Sequence, residues 1–404
     1  MILCGIRNDH SSLAHVISPS SPRRDYLIDV SRLVWRYWSR RLPTGIDRVC
    51  LAYLEHFGGR AQAVVQRNGM HFILSRSASE RLFRVLLSRE PVSRLRLIRA
   101  LATGVVRLRR KPRRADLLYL NVGHTGLNEP SLPEWISANR LRAIYMVHDL
   151  IPLTHPQYCR SQEAEKHARR MDNVLTSAAG IIGNSRATLD ELADYAATKG
   201  LPMPPAVAAW ISGPPPRGCV GTPPLAKPYF VILGTIEGRK NHQLLLDVWE
   251  QLVAERGDEA PVLVVIGQRG WKAETALARL DRIEDFNGCV LRFDRCGDDE
   301  LATWLGGARA LLMPSFTEGF GLPVIEALQL GTPVIASDLP VFREIAGDIP
   351  AFLDPGDAKA WRRAIESLVD GESERARQVS AMRSYRTPIW TDHFAIVDSW
   401  LETL

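Results

Sequence analysis

The chain has 404 residues, 46% hydrophobic and 24% charged, with a net charge of +6; that is length for two or three domains and an ordinary composition for a protein with a real core. No apolar run approaches the roughly 18 residues of a membrane-spanning helix, and the first residues lack the apolar region of a signal peptide, so a cytoplasmic protein is expected. Six scattered cysteines with no C-x-x-C pair fit reduced thiols and argue against a zinc site or a disulfide framework.

In chain order, residues 26–30 read as a first strand. A Pro43-Thr44-Gly45 turn then opens a helical pattern with Ile46, Val49, Tyr53, Leu54 and Phe57 on one face. Gly45 either lets backbone approach a ligand closely or simply starts that helix. Residues 61–66 and 70–74 read as strands joined by the turn Arg67-Asn68-Gly69. Between Arg76 and Arg114, thirteen lysines and arginines stand against Glu80 and Glu90, so this segment exceeds the whole chain's +6 and the remainder is net negative. Leu82, Phe83, Val85, Leu86, Leu95, Leu97, Ile98 and Leu101 alternate with those arginines at helical spacing. The pattern reads as a membrane-surface helix attracted by anionic lipid, or as a helical hairpin on its own domain with a solvated basic face. A single aromatic and no nucleic-acid motif argue against a nucleic-acid partner.

Residues 115–121 and 142–147 read as further strands. His124 and the pair His148-Asp149 follow their carboxyl ends, where doubly wound sheets bind ligands; Asp149 is expected to fix the His148 tautomer. Another strand ends at Ile181-Ile182-Gly183-Asn184-Ser185, with Ser185 as N-cap of the next helix. Prolines and glycines from 211 to 224 mark an exposed linker. Beyond it, strands at 229–234, 262–266, 290–293, 308–313 and 333–336 alternate with helical patterns, which predicts a second parallel sheet covered on both faces.

The loop after the first of these strands, Gly234-Thr235-Ile236-Glu237-Gly238-Arg239-Lys240-Asn241, carries two adjacent cations suited to a diphosphate leaving group. Residues 311–328 run from an apolar strand through Pro314-Ser315-Phe316-Thr317-Glu318-Gly319-Phe320-Gly321-Leu322 into a helix with Pro323 in its first turn. The amides of Phe320, Gly321 and Leu322 at that helix start form a ready anion site. Glu318 and Glu326 would repel a phosphate and are suited to accept hydrogen bonds from hydroxyls. A ligand with both groups is a sugar nucleotide.

Glu318-x7-Glu326, followed by Gly331-Thr332-Pro333-Val334-Ile335-Ala336-Ser337, resembles the donor-site signature of retaining family 4 glycosyltransferases in the GT-B superfamily. Val-His-Asp-Leu-Ile-Pro at 147–152 is similar to the His-bearing loop of that family, and together with the 234–241 loop it resembles the branch of bacterial mannosyltransferases of surface-polysaccharide synthesis. The resemblance is specific from 229 to 357, fair around His148 and loose before 119. It implies an α/β GT-B fold, two Rossmann-like doubly wound domains facing a cleft. The acceptor-binding domain would span 1–212, the nucleotide-sugar domain 225–385, and a helix in 386–404 would cross back to the first domain.

By the same resemblance, Glu318 and His148 contact the transferred sugar, Glu326 the ribose, and Lys240 with Arg239 the leaving diphosphate. Gly234, Thr235, Gly319, Phe320, Gly321 and Leu322 lie with the donor; Gly45, Asp47, His124 and Asp149 lie on the acceptor side. Many members carry an Arg five positions before the Lys, where this chain has Thr235, and Arg239 is the residue that compensates. No D-x-D motif follows a suitable strand, so no metal is expected, and no cofactor, the nucleotide sugar being a substrate. The implied partners are that donor (GDP-mannose first), a growing or lipid-linked glycan acceptor, and an anionic membrane surface reached through 76–114, at the inner face of the cell membrane. A catalytically silent homologue acting as a scaffold and a sugar-nucleotide epimerase remain open on the same motifs. Removal of Glu318, read as a loop residue, is expected to abolish transfer and leave the fold intact.

Overall fold

The structure, a computed structural model, describes residues 26–39, 44–88, 94–105, 117–213 and 223–404. Short apolar runs build two sheets. The first contains β1 (Tyr26–Asp29), β2 (Ala61–Arg67), β3 (Met70–Ile73), β4 (Leu118–Asn121), β5 (Arg142–Val147), β6 (Ala178–Gly183) and β7 (Ala206–Ala208), in the order β3-β2-β1-β4-β5-β6-β7. The second contains β8 (Tyr229–Leu233), β9 (Val262–Ile266), β10 (Val290–Phe293), β11 (Ala310–Met313), β12 (Val334–Ser337) and β13 (Ala351–Leu353), in the order β10-β9-β8-β11-β12-β13. Every pairing is parallel except the β2–β3 hairpin. All of Val262–Ile266 and Ala310–Met313 is buried, as befits strands covered by helices on both faces. The three-residue edge strands β7 and β13 are only half-buried, and nothing in their sequences marked them.

The strand order decides where a ligand fits. In each sheet the chain starts near the middle, builds outward to one side, then returns to build the other. The return leaves a crevice beyond the carboxyl ends of β1 and β4, and of β8 and β11. The segments opening there are those that carry Arg32, at the start of the helix Ser31–Ser39, and His124 in the first unit, and Arg239, Lys240 and Glu318 in the second.

The basic segment forms the helices Arg76–Leu86 and Arg94–Val105, which pack on each other and, through the first, on β2. Leu82, Phe83, Leu86 and Leu97 are buried in the first unit's core, so these apolar residues are not free to enter a headgroup layer. The domain's own hydrophobic burial has claimed them. Leu95 and Ile98 remain exposed. Residues 89–93 and 106–116, which include Arg107, Arg109, Arg110, Arg113 and Arg114, lie outside the described residues. Among the described residues no helix is long and apolar enough to cross a membrane.

Several side chains bind the two units together. The Glu344 carboxylate accepts from the amides of Arg186 and Ala187, at the start of the helix Arg186–Lys199, and from the Trp210 indole. A carboxylate at a helix N-terminus meets both free N–H groups and the positive end of the dipole. The helix Trp390–Leu401 then returns to the first unit. His393 donates through Nδ1 to the Trp210 carbonyl and accepts the Tyr53 hydroxyl at Nε2, 2.9 Å away. Burial holds its imidazole down to about 4, in keeping with that neutral donor–acceptor role.

Candidate active site

The loop after β8 turns on Gly234, whose φ of +128° suits glycine and whose absent Cβ would stand 2.8 Å from the Lys240 side chain. Lys240 thereby reaches Glu318: Nζ lies 2.6 Å from Oε1, while Arg239 places a guanidinium nitrogen 2.6 Å from Oε2. Arg239 also donates to the Thr317 carbonyl and pairs with Glu237 at 3.2 Å, and the Ser315 hydroxyl donates to Glu318 at 2.8 Å. The Glu318 side chain is 8% exposed. Burial alone would raise its carboxyl, but Arg239 and then Lys240 outweigh it and hold the group down to about 2. Glu318 does lie in a loop, but its side chain is the buried counter-ion of the two cations, so its removal bears on stability as well as on chemistry.

Glu326, in the helix Leu322–Gln329, faces the other unit. Its Oε1 lies 3.6 Å from Arg48, which also pairs with Asp298 at 2.9 Å. Burial pushes the Glu326 carboxyl up to about 7 despite Arg48. Gly45 lies opposite Leu322, whose Cδ1 would be 3.3 Å from a Cβ there. None of the hydrogen bonds of the described residues is donated by the amides of Phe320, Gly321 or Leu322. Gly321, at φ +107° against the Phe342 ring, makes the turn into the helix. Thr235 sets its methyl against Gly270.

In the first unit, His148 and His124 tie the carboxyl ends of β4 and β5 reciprocally. His148 Nε2 donates to the Val122 carbonyl and His124 Nε2 to the Met146 carbonyl, each at 2.8 Å, with the rings 4.9 Å apart. Burial lowers both imidazoles, His124 furthest, so both are neutral at pH 7. The expectation that Asp149 fixes the His148 tautomer fails. The Val122 carbonyl does so, and the Asp149 carboxylate instead accepts from the Ile151 amide as it lines the cleft. Asp47 also departs from its expected role. It is 1% exposed and bound by Arg32 and Arg36 at 2.7 Å each, so it reaches the cleft only by orienting Arg32.

Gly319, expected to lie with the donor, instead makes the contact between units. A Cβ there would fall 2.7 Å from the His148 carbonyl and 2.9 Å from the Asp149 Cβ. Its carbonyl accepts from Asn184 Nδ2 at 3.1 Å, and the same amide donates to the His148 carbonyl at 2.8 Å. One buried side chain thus holds both the His148 loop and the Glu318 loop. In the sequence Asn184 had shown only as the residue before a helix cap, a role Ser185 does fill.

Between the units lies a cavity of about 710 Å³, lined from one side by Arg32, His124, Asp149 and Arg160 and from the other by Glu237 and Arg239. Loop 156–160 closes one end: Tyr158 stacks on Phe316 at 5.3 Å, Arg160 lies over the Trp271 ring at 4.6 Å, and the Trp271 indole donates to the Tyr158 carbonyl. Neither Tyr158 nor Trp271 carried a motif that could have announced it. Among the described residues, no group of three or more His, Cys, Asp or Glu is placed to hold a metal ion.

Residues 221–385 match the family described as glycosyl transferases group 1. The match spans the second unit, which is similar to that family over β8 to β13. Over 253 residues, 60% of this chain and 65% of the relative, it is 29% identical to the O-antigen chain mannosyltransferase B of Escherichia coli. Over 121 residues it is 39% identical to the serotype-specific mannosyltransferase WbdA of E. coli, covering 30% of this chain and 15% of that one. The chain thus matches less than two thirds of the length of either relative. In structure it is similar to Anabaena HepE in complex with UDP, with a TM-score of 0.64 and 14% identity over 94% of this chain and 99% of that one. It is also similar to a sucrose-phosphate synthase from Thermosynechococcus elongatus, with a TM-score of 0.63, 14% identity and the same coverage. The architecture, two Rossmann-like units facing a cleft, is GT-B, as the sequence had indicated.

Two outcomes follow from this geometry. Glu318→Gln leaves Arg239 and Lys240 buried with Glu237 alone and should cost about 3–5 kcal/mol of stability, read from urea unfolding. The folded carboxyl lies below its ordinary 4.5, so its stabilisation is complete above pH 4.5 and is lost as pH falls toward 2; the variant should lack that part of the acid transition. Asn184→Asp sets a carboxylate against two carbonyls and should speed amide hydrogen exchange in residues 316–322 and 148–151 about tenfold or more. Unchanged exchange there would show that Asn184 does not hold the two loops.

Proposed function

We propose that this chain is a retaining, metal-independent glycosyltransferase that moves a hexose, mannose from GDP-mannose in the first instance, to a growing or lipid-linked bacterial glycan. The observation that carries the reading is the cluster of Glu318, Lys240 and Arg239 at the crevice of the second sheet. The relatives whose names include a mannosyltransferase activity support the choice of sugar. The neighbour solved with UDP-glucose supports a nucleotide-sugar donor.

In this reading the donor diphosphate lies over Lys240, Arg239 and the amides of Phe320, Gly321 and Leu322, which replace a metal ion as the source of positive charge for the leaving group. As the diphosphate takes a share of the two cations, the Glu318 carboxylate is released toward the sugar hydroxyls. Glu326 accepts hydrogen bonds from the ribose, and His148, neutral and fixed by Val122, orients the sugar. The acceptor hydroxyl attacks from the face the diphosphate leaves. The new C1–O bond forms as the C1–O phosphate bond breaks, and the leaving phosphate oxygen takes the hydroxyl proton. The configuration at C1 is retained, and no cofactor enters. Leu95, Ile98 and the basic residues between 76 and 114 would bring this chemistry to the inner face of an anionic membrane, where lipid-linked acceptors are presented.

The test is transfer of labelled mannose from GDP-mannose to a glycan acceptor in excess EDTA. Undiminished turnover is expected, and dependence on added Mn²⁺ or Mg²⁺ would overturn the charge argument. The form of Glu326 that accepts from two hydroxyls is the carboxylate, and its folded carboxyl titrates near 7. GDP affinity should therefore rise as pH rises through about 7, and Glu326→Gln should bind about tenfold more weakly above it with no such rise. A flat profile in the parent would remove Glu326 from the ribose site.

A further inference from the structure

The loop residues Thr125 and Gly126 are a wall with a cavity on each side: the cleft already described, and a second space of about 320 Å³ toward the β2–β3 turn. The wall is low and firmly held. Gly126 has φ +70°, and a Cβ on it would fall 1.8 Å from the Gln66 side-chain oxygen, so no side chain fits there. The Thr125 carbonyl accepts from Asn121 at 2.9 Å and from Gln66 at 3.2 Å, within a buried network anchored on Asp29.

Three side chains give the second cavity its chemistry. Trp35 is fixed by its indole N–H donating to the Gln66 carbonyl, and the Arg67 guanidinium lies 5.5 Å from the centre of its ring. Glu129 faces the same space, its backbone pinned by Gly126 and Asn173. Among the described residues, neither Arg67 nor Glu129 has an ionic partner; Glu129 accepts only a 3.4 Å contact from Asn128. Arg67 can only donate and Glu129, when ionised, can only accept. A phosphate there would meet the Glu129 carboxylate, and an apolar ligand would leave two charges desolvated without partners. A neutral polyol satisfies both, its adjacent hydroxyls accepting from the fork and donating to the carboxylate.

We propose that this second cavity is a subsite for a sugar unit of the acceptor glycan beyond the unit that receives the transfer. The proposal rests on the transferase reading above and extends it: the acceptor is an oligosaccharide, recognised over at least two units, that lies across Thr125 and Gly126 with its reacting end in the cleft. The test is calorimetric titration of the whole chain with α-linked manno-oligosaccharides of increasing length, starting from a single unit. GDP is titrated in parallel. The comparison is between the parent and an Arg67→Ala, Glu129→Ala double variant. In the parent, affinity should rise about tenfold from one unit to the longest chain. In the double variant that rise should vanish while single-unit and GDP affinities stay unchanged. Affinity independent of length in the parent, or an equal rise in the double variant, overturns the subsite. Failure of the parent to bind GDP would strike the donor reading instead, and the length dependence would still decide the subsite.

Discussion

A buried carboxylate held by two cations is the constraint on which the second unit's chemistry depends. Glu318 leaves water at a large desolvation cost, which Lys240 and Arg239 offset only because both lie within 2.6 Å. That geometry in turn requires the loops after β8 and β11 to meet, and they meet because the strand order places β8 beside β11. The Phe316 amide donating to the Arg239 carbonyl at 2.8 Å fastens the loops by their backbones as well. The ion cluster is thus a product of topology first and of side-chain chemistry second.

The first unit answers with neutral groups. His148 and His124 spend one nitrogen each on a backbone carbonyl, of Val122 and of Met146, and burial keeps both uncharged. Positive charge on that side comes instead from Arg32, Arg48 and Arg160, which face or bridge the cleft. Asn184 ties the two sides together, and Gly319 permits that close approach by having no side chain. A glycine read as a ligand contact therefore has a prior mechanical duty, since any larger residue would hold the units apart.

Much of this was legible in the sequence, for reasons that differ by element. Runs such as Val262–Ile266 and Ala310–Met313 showed themselves because strands buried on both faces carry continuous apolar sequence. Ser185 showed itself because caps need a short hydroxyl or carboxamide, and the structure gives it the Thr188 amide. Glu318, Lys240 and Arg239 were singled out by type and position, but their mutual pairing was not, since it joins residues 78 and 79 apart in the chain. The same holds for Arg48 with Glu326, for Tyr158 on Phe316 and for Asn184. Each is a contact between units, and local pattern carries no information on how two units face. Asp47 misled for the opposite reason: an acid in a promising loop proved to be satisfied within its own turn by Thr44 and by two arginines. The basic helices were open to two readings, because an amphipathic stripe looks alike whether lipid or the domain's own core covers it, and the core covers Leu82, Phe83, Leu86 and Leu97.

The return of the helix Trp390–Leu401 has a consequence for biosynthesis. Tyr53 is wholly buried, yet its hydroxyl partner, His393, lies 340 residues further along the chain, and Trp400 covers Gly180 so closely that no Cβ would fit there. A nascent first unit leaving the ribosome therefore carries an open apolar seam along Tyr53, Phe57 and Gly180 for as long as the second unit is being translated. The sheet can assemble early, but its outer wall is sealed only when that helix emerges. The first unit is thus completed after the second, and in the interval the seam is the surface a chaperone would have to shield.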